Sequence, residues 1–269
     1  MKKIRLDVLL VERNLIDSRE KAKRTIMAGL VYSDQERLDK PGMKVSPDIP
    51  LRIKENLHPY VSRGGLKLEK ALKAFKLSVK NKVIIDVGAS TGGFTDCALQ
   101  NGAKMSYAID VGYNQLDWKL RSDDRVVVME RTNFRYVTPD MLTKDKPNFA
   151  TVDVSFISLT LILPVLKTLL DEESDIVLLI KPQFEAGKDQ VGKGGIVRDK
   201  KIHIEVINKI LQFAKDENYC IHNLTFSPIT GGEGNIEYLA HLGWEKENVN
   251  ETKLDVESVV KDAHETLLK

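Results

Sequence analysis

Asp86-Val87-Gly88-Ala89-Ser90-Thr91-Gly92-Gly93-Phe94 joins an apolar run, Val83–Val87, to a helical stretch that starts near Thr95. Glycine lets a backbone turn sharply and lie against a ligand where a β-carbon would clash, so the junction reads as strand, binding loop and helix. Outward from it the alternation continues. Strands are predicted at Val83–Val87, Met105–Asp110, Val126–Met129, Ala150–Val154, Ile176–Lys181 and Cys220–Ser227, with a last extended segment near Ile236–Leu242. Helical stretches fall between them, notably Ser158–Leu170 and His203–Lys215. This spacing predicts an α/β fold with a doubly wound, mostly parallel sheet. The loop then lies at the carboxyl end of the first strand, where such sheets bind ligands.

Ahead of that domain the pattern changes. Leu6, Leu9 and Leu10 recur at helical spacing and predict a helix to about Arg13. Ser18 is placed to cap a second helix, Arg19 to about Ala28, which Gly29 ends. Short strands follow at Leu30-Val31-Tyr32, Met43–Val45 and Leu51-Arg52-Ile53, making a small N-terminal α+β unit. On the second helix Arg19, Lys23 and Arg24 can share one side while Ala22, Ile26 and Met27 face inward. The net charge of +2 conceals a split. Residues 1–80 hold 19 basic and 10 acidic side chains, a net of +9, and the remainder carries −7. A basic lobe on a mildly acidic body suggests a module that docks on polyphosphate.

Several function classes are excluded. Two cysteines, Cys97 and Cys220, build neither a disulfide scaffold nor a Cys-rich zinc module, and no metal site is expected. The basic N-terminus leads into a stretch broken by Asp7, Glu12 and Arg13, unlike a secretory h-region. The longest apolar runs, such as Leu161–Leu166 and Ile176–Ile180, are far shorter than the ~20 residues of a membrane span. A cytoplasmic protein with no membrane partner is the expectation.

The second strand ends in Asp110, where a carboxylate suits the paired hydroxyls of a ribose. A dinucleotide loop requires G-x-G-x-x-G, whereas here Gly88 is followed only by Gly92-Gly93. Asp86, opening the loop, also suits a cationic ligand better than a pyrophosphate. Asp86, the run Gly88, Ala89, Ser90, Thr91, Gly92, Gly93 and Phe94, and Asp110 together resemble the S-adenosylmethionine site of class I methyltransferases.

Asp153 and Lys181 each close a strand, so two charges share a rim with that loop and mark a candidate active site. The segments Ser62-Arg63-Gly64-Gly65-Leu66-Lys67-Leu68, Asp153-Val154-Ser155-Phe156-Ile157-Ser158, Lys181-Pro182-Gln183-Phe184-Glu185 and Gly234-Asn235-Ile236-Glu237-Tyr238-Leu239 resemble the ribose 2′-O-methyltransferases related to FtsJ. Those enzymes carry a Lys-Asp-Lys-Glu tetrad. Arg5-Leu6-Asp7, Ser18-Arg19-Glu20-Lys21-Ala22 and Ile26-x-x-Gly29-x-Val31 resemble the S4 RNA-binding fold. In sum, Arg5 to Trp244 resembles the TlyA (hemolysin A-like) rRNA methyltransferases.

The resemblance implies an S4-type domain at 1–60, an FtsJ-like domain at 61–245 and a polar tail at 246–269. It implies methyl transfer from S-adenosylmethionine to a ribose 2′-hydroxyl, of a cytidine, in ribosomal RNA, with ribosomal subunits as partners. Lys67, Asp153, Lys181 and Glu237 would be catalytic. Asn133 would contact adenine, and Phe156 would pack on the cofactor or the target nucleotide. Arg5, Arg19, Lys23, Arg24 and Arg63 would contact RNA. Lys181 would take the hydroxyl proton or stabilise the alkoxide. The first role needs its pKa brought from ~10.4 to near neutrality, a change of about 4–5 kcal/mol that a second lysine and burial favour and two carboxylates oppose. The Gly- and Lys-rich stretch Lys188–Arg198 is either a loop that closes over RNA or a solvated connection. Two rivals stand beside this reading, a membrane-active hemolysin and an inactive RNA-binding assembly factor.

Overall fold

A computed structural model describes residues 3–27, 29–53, 58–244 and 254–268. The chain forms two units, Met1–Pro59 and Tyr60–Lys269.

The first unit runs β1 (Ile4–Arg5), α1 (Leu6–Glu12), α2 (Arg19–Met27), β2 (Val31–Ser33), β3 (Glu36–Arg37), β4 (Lys44–Val45) and β5 (Arg52–Ile53). Strand β1 pairs with β4, and β2 lies between β3 and β5, all antiparallel. Leu6, Leu9, Leu10, Ala22, Ile26 and Val31 form its core. Ala22 and Ile26, four apart, share the inner face of α2. Met27 does not: one residue further round the helix, it is 72% exposed, contrary to the inward placement expected of it. Ala28 and the side chain of Arg24 lie outside the described residues.

The second unit opens with α3 (Gly64–Ala74) and continues β6 (Val83–Val87), α4 (Gly93–Gln100), β7 (Met105–Ile109), α5 (Trp118–Arg121) and β8 (Val126–Met129). Then come β9 (Phe149–Val152), α6 (Leu163–Leu169), β10 (Ser174–Ile180), α7 (Pro182–Glu185), α8 (Lys200–Asp216), β11 (Cys220–Phe226), β12 (Tyr238–Trp244) and α9 (Val256–Leu267). Seven strands form one sheet in the order β11-β12-β10-β9-β6-β7-β8. β12 alone runs opposite to the other six strands. Two apolar clusters cover the two faces. One holds Leu163, Leu166, Ile207, Ile210 and Val260 from α6, α8 and α9; the other holds Leu68, Ala71, Cys97 and Ala98 from α3 and α4. The chain order reverses between β6 and β9, which places a crevice at their carboxyl ends.

The segment expected to be a polar tail contains α9. Val256, Val260 and Ala263 recur every three or four residues and are buried in the first cluster, so the polar composition belongs to the other side of an amphipathic helix. Among the described residues no helix is long and apolar enough to cross a membrane, and no group of His, Cys, Asp and Glu could hold a metal ion.

Candidate active site

Strand register builds the site. Val87 of β6 lies beside Val152 of β9, so the next residues, Gly88 and Asp153, emerge side by side. A β-carbon on Gly88 would fall 2.4 Å from the Asp153 carbonyl oxygen. Ile180, the last residue of β10, pairs with Tyr238, the first of antiparallel β12. Lys181 and Glu237 therefore leave the sheet at that same rim. Pro182 stops the strand and begins α7 directly after the lysine. Lys67 reaches the rim from α3, which packs on α4.

These four side chains form one buried charge cluster. Lys67 Nζ is 3.1 Å from Asp153 Oδ2 and 2.7 Å from Glu237 Oε2. Lys181 Nζ is 2.5 Å from Asp153 Oδ1 and 4.0 Å from Glu237 Oε1, and it donates to Ser155 Oγ at 3.1 Å. Burial works against the Lys67 ammonium, but Asp153 and Glu237 outweigh it and hold its pKa above the ordinary lysine value. Burial likewise works against the Asp153 carboxylate, and the two lysines outweigh it to hold its pKa below the usual carboxylate range. Gly231 makes room for the fourth member: a β-carbon there would lie 2.1 Å from Glu237 Oε1.

The cluster floors a cavity of about 660 Å³. Its walls include Gly88, Ala89, Ser90, Thr91, Gly93 and Phe94, together with Arg63. Phe156 stands at the edge, 91% exposed at φ +63°, its ring 4.8 Å from that of Phe184. The ring is therefore outside the core, in a backbone conformation that costs energy. Gly192–Ile196 forms a small turn closed by its own bridge, and Gly194 and Gly195 line the cavity. Asn235 ties that turn down, accepting from Val197 N at 3.2 Å and donating to Gly195 O at 2.9 Å. Within Lys188–Arg198, then, Gly194 and Gly195 belong to the wall, while Lys188, Asp189, Lys193 and Arg198 are exposed.

Other expected residues sit differently. Asp86 does not line the cavity: it is fully buried and accepts from Thr95 N, Thr95 Oγ1 and Thr151 Oγ1 at 3.1, 2.7 and 2.8 Å. It clamps α4 and β9 to β6, and burial pushes its pKa up to about 6. Gly92 does not line the cavity either. It starts α4 at φ +95°, where a β-carbon would strike Leu120 and Leu116. Asp110 lies next to the loop, accepting from Ser90 N and Gly112 N at 2.8 and 2.7 Å. Asn133 follows on the same side; Thr132 N donates to Asp110 O, and Asn133 caps a short 3-10 turn by accepting from Arg135 N. In the first unit, Arg5 and Arg19 both bind the buried carboxylate of Asp7, with Nε–O distances of 3.0 Å each. Lys23 pairs with Glu20 at 2.8 Å.

Gln183, Phe184, Ser155 and Asn235 also line the cavity. They stand inside the quoted motifs, but only long-range pairing reveals which of them face inward. Gln183 Oε1 is buried with no hydrogen-bond partner. A buried acceptor left open in a cavity wall fits a ligand that brings a donor.

Two family descriptions match the chain, FtsJ-like methyltransferase over residues 60–244 and S4 domain over residues 4–48. The chain belongs to the FtsJ-like methyltransferase family. It is 65% identical over 269 residues to a candidate rRNA methyltransferase of Bacillus subtilis, YqxC, spanning 99% of this chain and 96% of that one. It is 41% identical over 242 residues to the 16S/23S rRNA (cytidine-2′-O)-methyltransferase TlyA of Mycobacterium tuberculosis, covering 90% of each. A solved structure described as a candidate hemolysin of Streptococcus thermophilus superposes with a TM-score of 0.78 at 53% identity, covering 99% of this chain and 97% of that one. Seen as an FtsJ-like methyltransferase, the chain places its glycine loop and its buried charges on one cavity.

Proposed function

We propose that this protein transfers the methyl group of S-adenosylmethionine to the 2′-hydroxyl of a cytidine ribose in ribosomal RNA, acting on ribosomal subunits in the cytoplasm. The observation that carries the reading is the convergence of Lys67, Asp153, Lys181 and Glu237 on the cavity that the glycine loop walls.

The residues present fit the cofactor. Gly88 to Thr91 offer close backbone, Asp110 offers a carboxylate at the loop for ribose hydroxyls, and Gln183 Oε1 is an open acceptor. Two ammoniums balance two carboxylates, so a sulfonium cation meets no net repulsion there. When bound, S-adenosylmethionine supplies an electrophilic methyl group. Lys181 would hold the ribose oxygen and stabilise the charge that grows on it as its proton passes to water; the new oxygen–carbon bond would form as the sulfur–methyl bond breaks, leaving an uncharged thioether to depart. Lys67 fixes one oxygen of Asp153 while Lys181 takes the other, so each lysine sets the position of its partner. Glu237 locks Lys67 from the far side. Holding the reacting atoms in line contributes up to ~7–11 kcal/mol in favourable cases, and a positioned proton acceptor or donor adds roughly 10²–10⁴-fold.

Residues 1–60 serve as the S4-type RNA-binding domain and 61–245 as the methyltransferase domain. Arg5 and Arg19, forked on Asp7, present two guanidinium groups at a fixed spacing to phosphate, with Lys23, Arg24 and Arg63 as further contacts. Phosphate contacts give affinity and register and little sequence choice. The test is incubation of the purified protein with tritiated S-adenosylmethionine and isolated ribosomal subunits, followed by mapping of the labelled nucleotide. Label on a cytidine ribose supports the reading; protein that binds subunits without transferring label refutes it.

A further inference from the structure

Helix α3 carries a second lysine to a second groove. Lys70 lies three residues after Lys67, about 4.5 Å further along the axis and on a neighbouring face of the helix. Its ammonium sits over the Phe226 ring, 3.5 Å from the centroid. The acid beside it, Glu69, is occupied by Lys73 at 3.2 Å. Among the described residues no carboxylate pairs with Lys70. Burial pushes its pKa down, the mark of a cation partly removed from water without a counter-ion.

The groove in which this occurs measures about 540 Å³ and is lined by Leu66, Glu69, Lys70, Lys73, Pro228 and Ile229, the Glu69 carboxylate being paired with Lys73. Ile229 also walls the active-site cavity, so the two spaces meet there. A strand that places one ribose at Lys181 carries a phosphodiester on either side of that ribose. We propose that the groove receives one of these flanking phosphodiesters and that Lys70 is its anion receptor. This rests on the RNA reading above. It extends that reading to a backbone contact next to the reacting nucleotide, on the catalytic unit itself. The aromatic ring beneath holds the ammonium in place without neutralising it, which leaves its charge for an anion.

The test uses the full chain with Lys70→Gln and Lys70→Arg, with ribosomal subunits as the RNA. Methylation rates are measured against subunit concentration at several salt concentrations, and S-adenosylmethionine binding by calorimetry. In Lys70→Gln, KM for subunits should rise roughly tenfold and the slope of log affinity against log salt should shrink by about one. Cofactor affinity should hold, and Lys70→Arg should restore KM. An unchanged KM and salt slope would overturn the proposal. A weakened cofactor in Lys70→Gln would overturn it in a different way, assigning the groove to the cofactor's own carboxylate. Should the unsubstituted protein fail to methylate subunits, the function above falls, while the salt dependence of subunit binding by filter retention still decides the groove.

Discussion

Lys67 and Lys181 share one carboxylate: Asp153 turns Oδ2 to the first at 3.1 Å and Oδ1 to the second at 2.5 Å. Neither lysine is held by a partner of its own alone. A change at one of the three is therefore felt by the other two, and their effects on catalysis should be far from additive.

Removing Lys181 tests the chemical role directly. Lys181→Ala should lower kcat/KM by roughly 10²–10⁴-fold or more. Binding of S-adenosylmethionine, measured by calorimetry, should stay within a few-fold of the unsubstituted protein. Turnover near normal in this variant would falsify the assignment of the tetrad.

Removing the shared acid should cost stability as well as activity. Asp153→Ala leaves two buried ammoniums facing each other with only Glu237 between them, a loss of about 3–5 kcal/mol for a broken buried pair. The pH sign follows from its depressed folded pKa. Its stabilisation is complete above the ordinary carboxylate range and is lost as pH falls below it, when the folded state must take up a proton that the unfolded chain already holds. Urea unfolding from pH 7 to pH 3 should show this fall in the unsubstituted protein and a flatter profile in Asp153→Asn.

Phe156 separates stability from function. At φ +63° and 91% exposed, it contributes little burial, and its conformation carries about 1 kcal/mol or more of strain. Phe156→Gly should leave Tm unchanged or raise it, while methylation of subunits drops at least tenfold. A fall in Tm with full activity would show instead that the ring is a structural prop.

How much of this is legible in the sequence depends on how far apart the deciding partners lie. Gly88, Asp153 and Lys181 can be placed on one rim from local pattern, because each follows an apolar run whose end is visible. Glu237 cannot be placed that way. Its arrival depends on β12 entering the sheet antiparallel, with Tyr238 against Ile180, a pairing that short-range periodicity does not encode. The same distance explains Asp86. Opening a glycine loop, it reads as a ligand contact, but Thr151, 65 residues away, fills one of its oxygens and Thr95 the other. The helix α9 is hidden because its four buried residues are diluted by exposed charge in a short segment.

Asp7 holds the basic face of the first unit together. Its carboxyl is kept at about 2, first by the Arg5 hydrogen bond and then, against burial, by Arg19. Asp7→Ala removes a negative charge, which by charge count alone should strengthen RNA binding. The expected result is the reverse: both guanidiniums lose the anchor that fixes their spacing, so filter-binding affinity for subunits should fall several-fold. Tighter binding would show that Asp7 only masks charge.

The last helix should make the protein acid-sensitive through a histidine pair. His203 Nε2 donates to Val197 O at 2.9 Å, because a carbonyl can only accept, and Nδ1 is left to accept from Tyr238 Oη at 2.7 Å. His264 of α9 approaches that same nitrogen with Nε2 at 3.2 Å. With His203 neutral, both of its ring nitrogens are satisfied. Burial, with His203 beside it, pushes His264 down to about 4, and burial lowers His203 as well. Both folded pKa values lie below the unfolded value near 6.5. Stability is therefore fully present above that value and declines as pH falls toward 4, where the unfolded chain holds protons that the folded one refuses. His264→Leu should remove up to about one proton from that slope and leave the plateau above pH 7 nearly intact, because Tyr238 still serves His203. Thermal unfolding followed by circular dichroism between pH 4 and pH 8 measures both. Parallel profiles for the two proteins would mean that His264 does not titrate with folding and that α9 is held by Val256, Val260 and Ala263 alone.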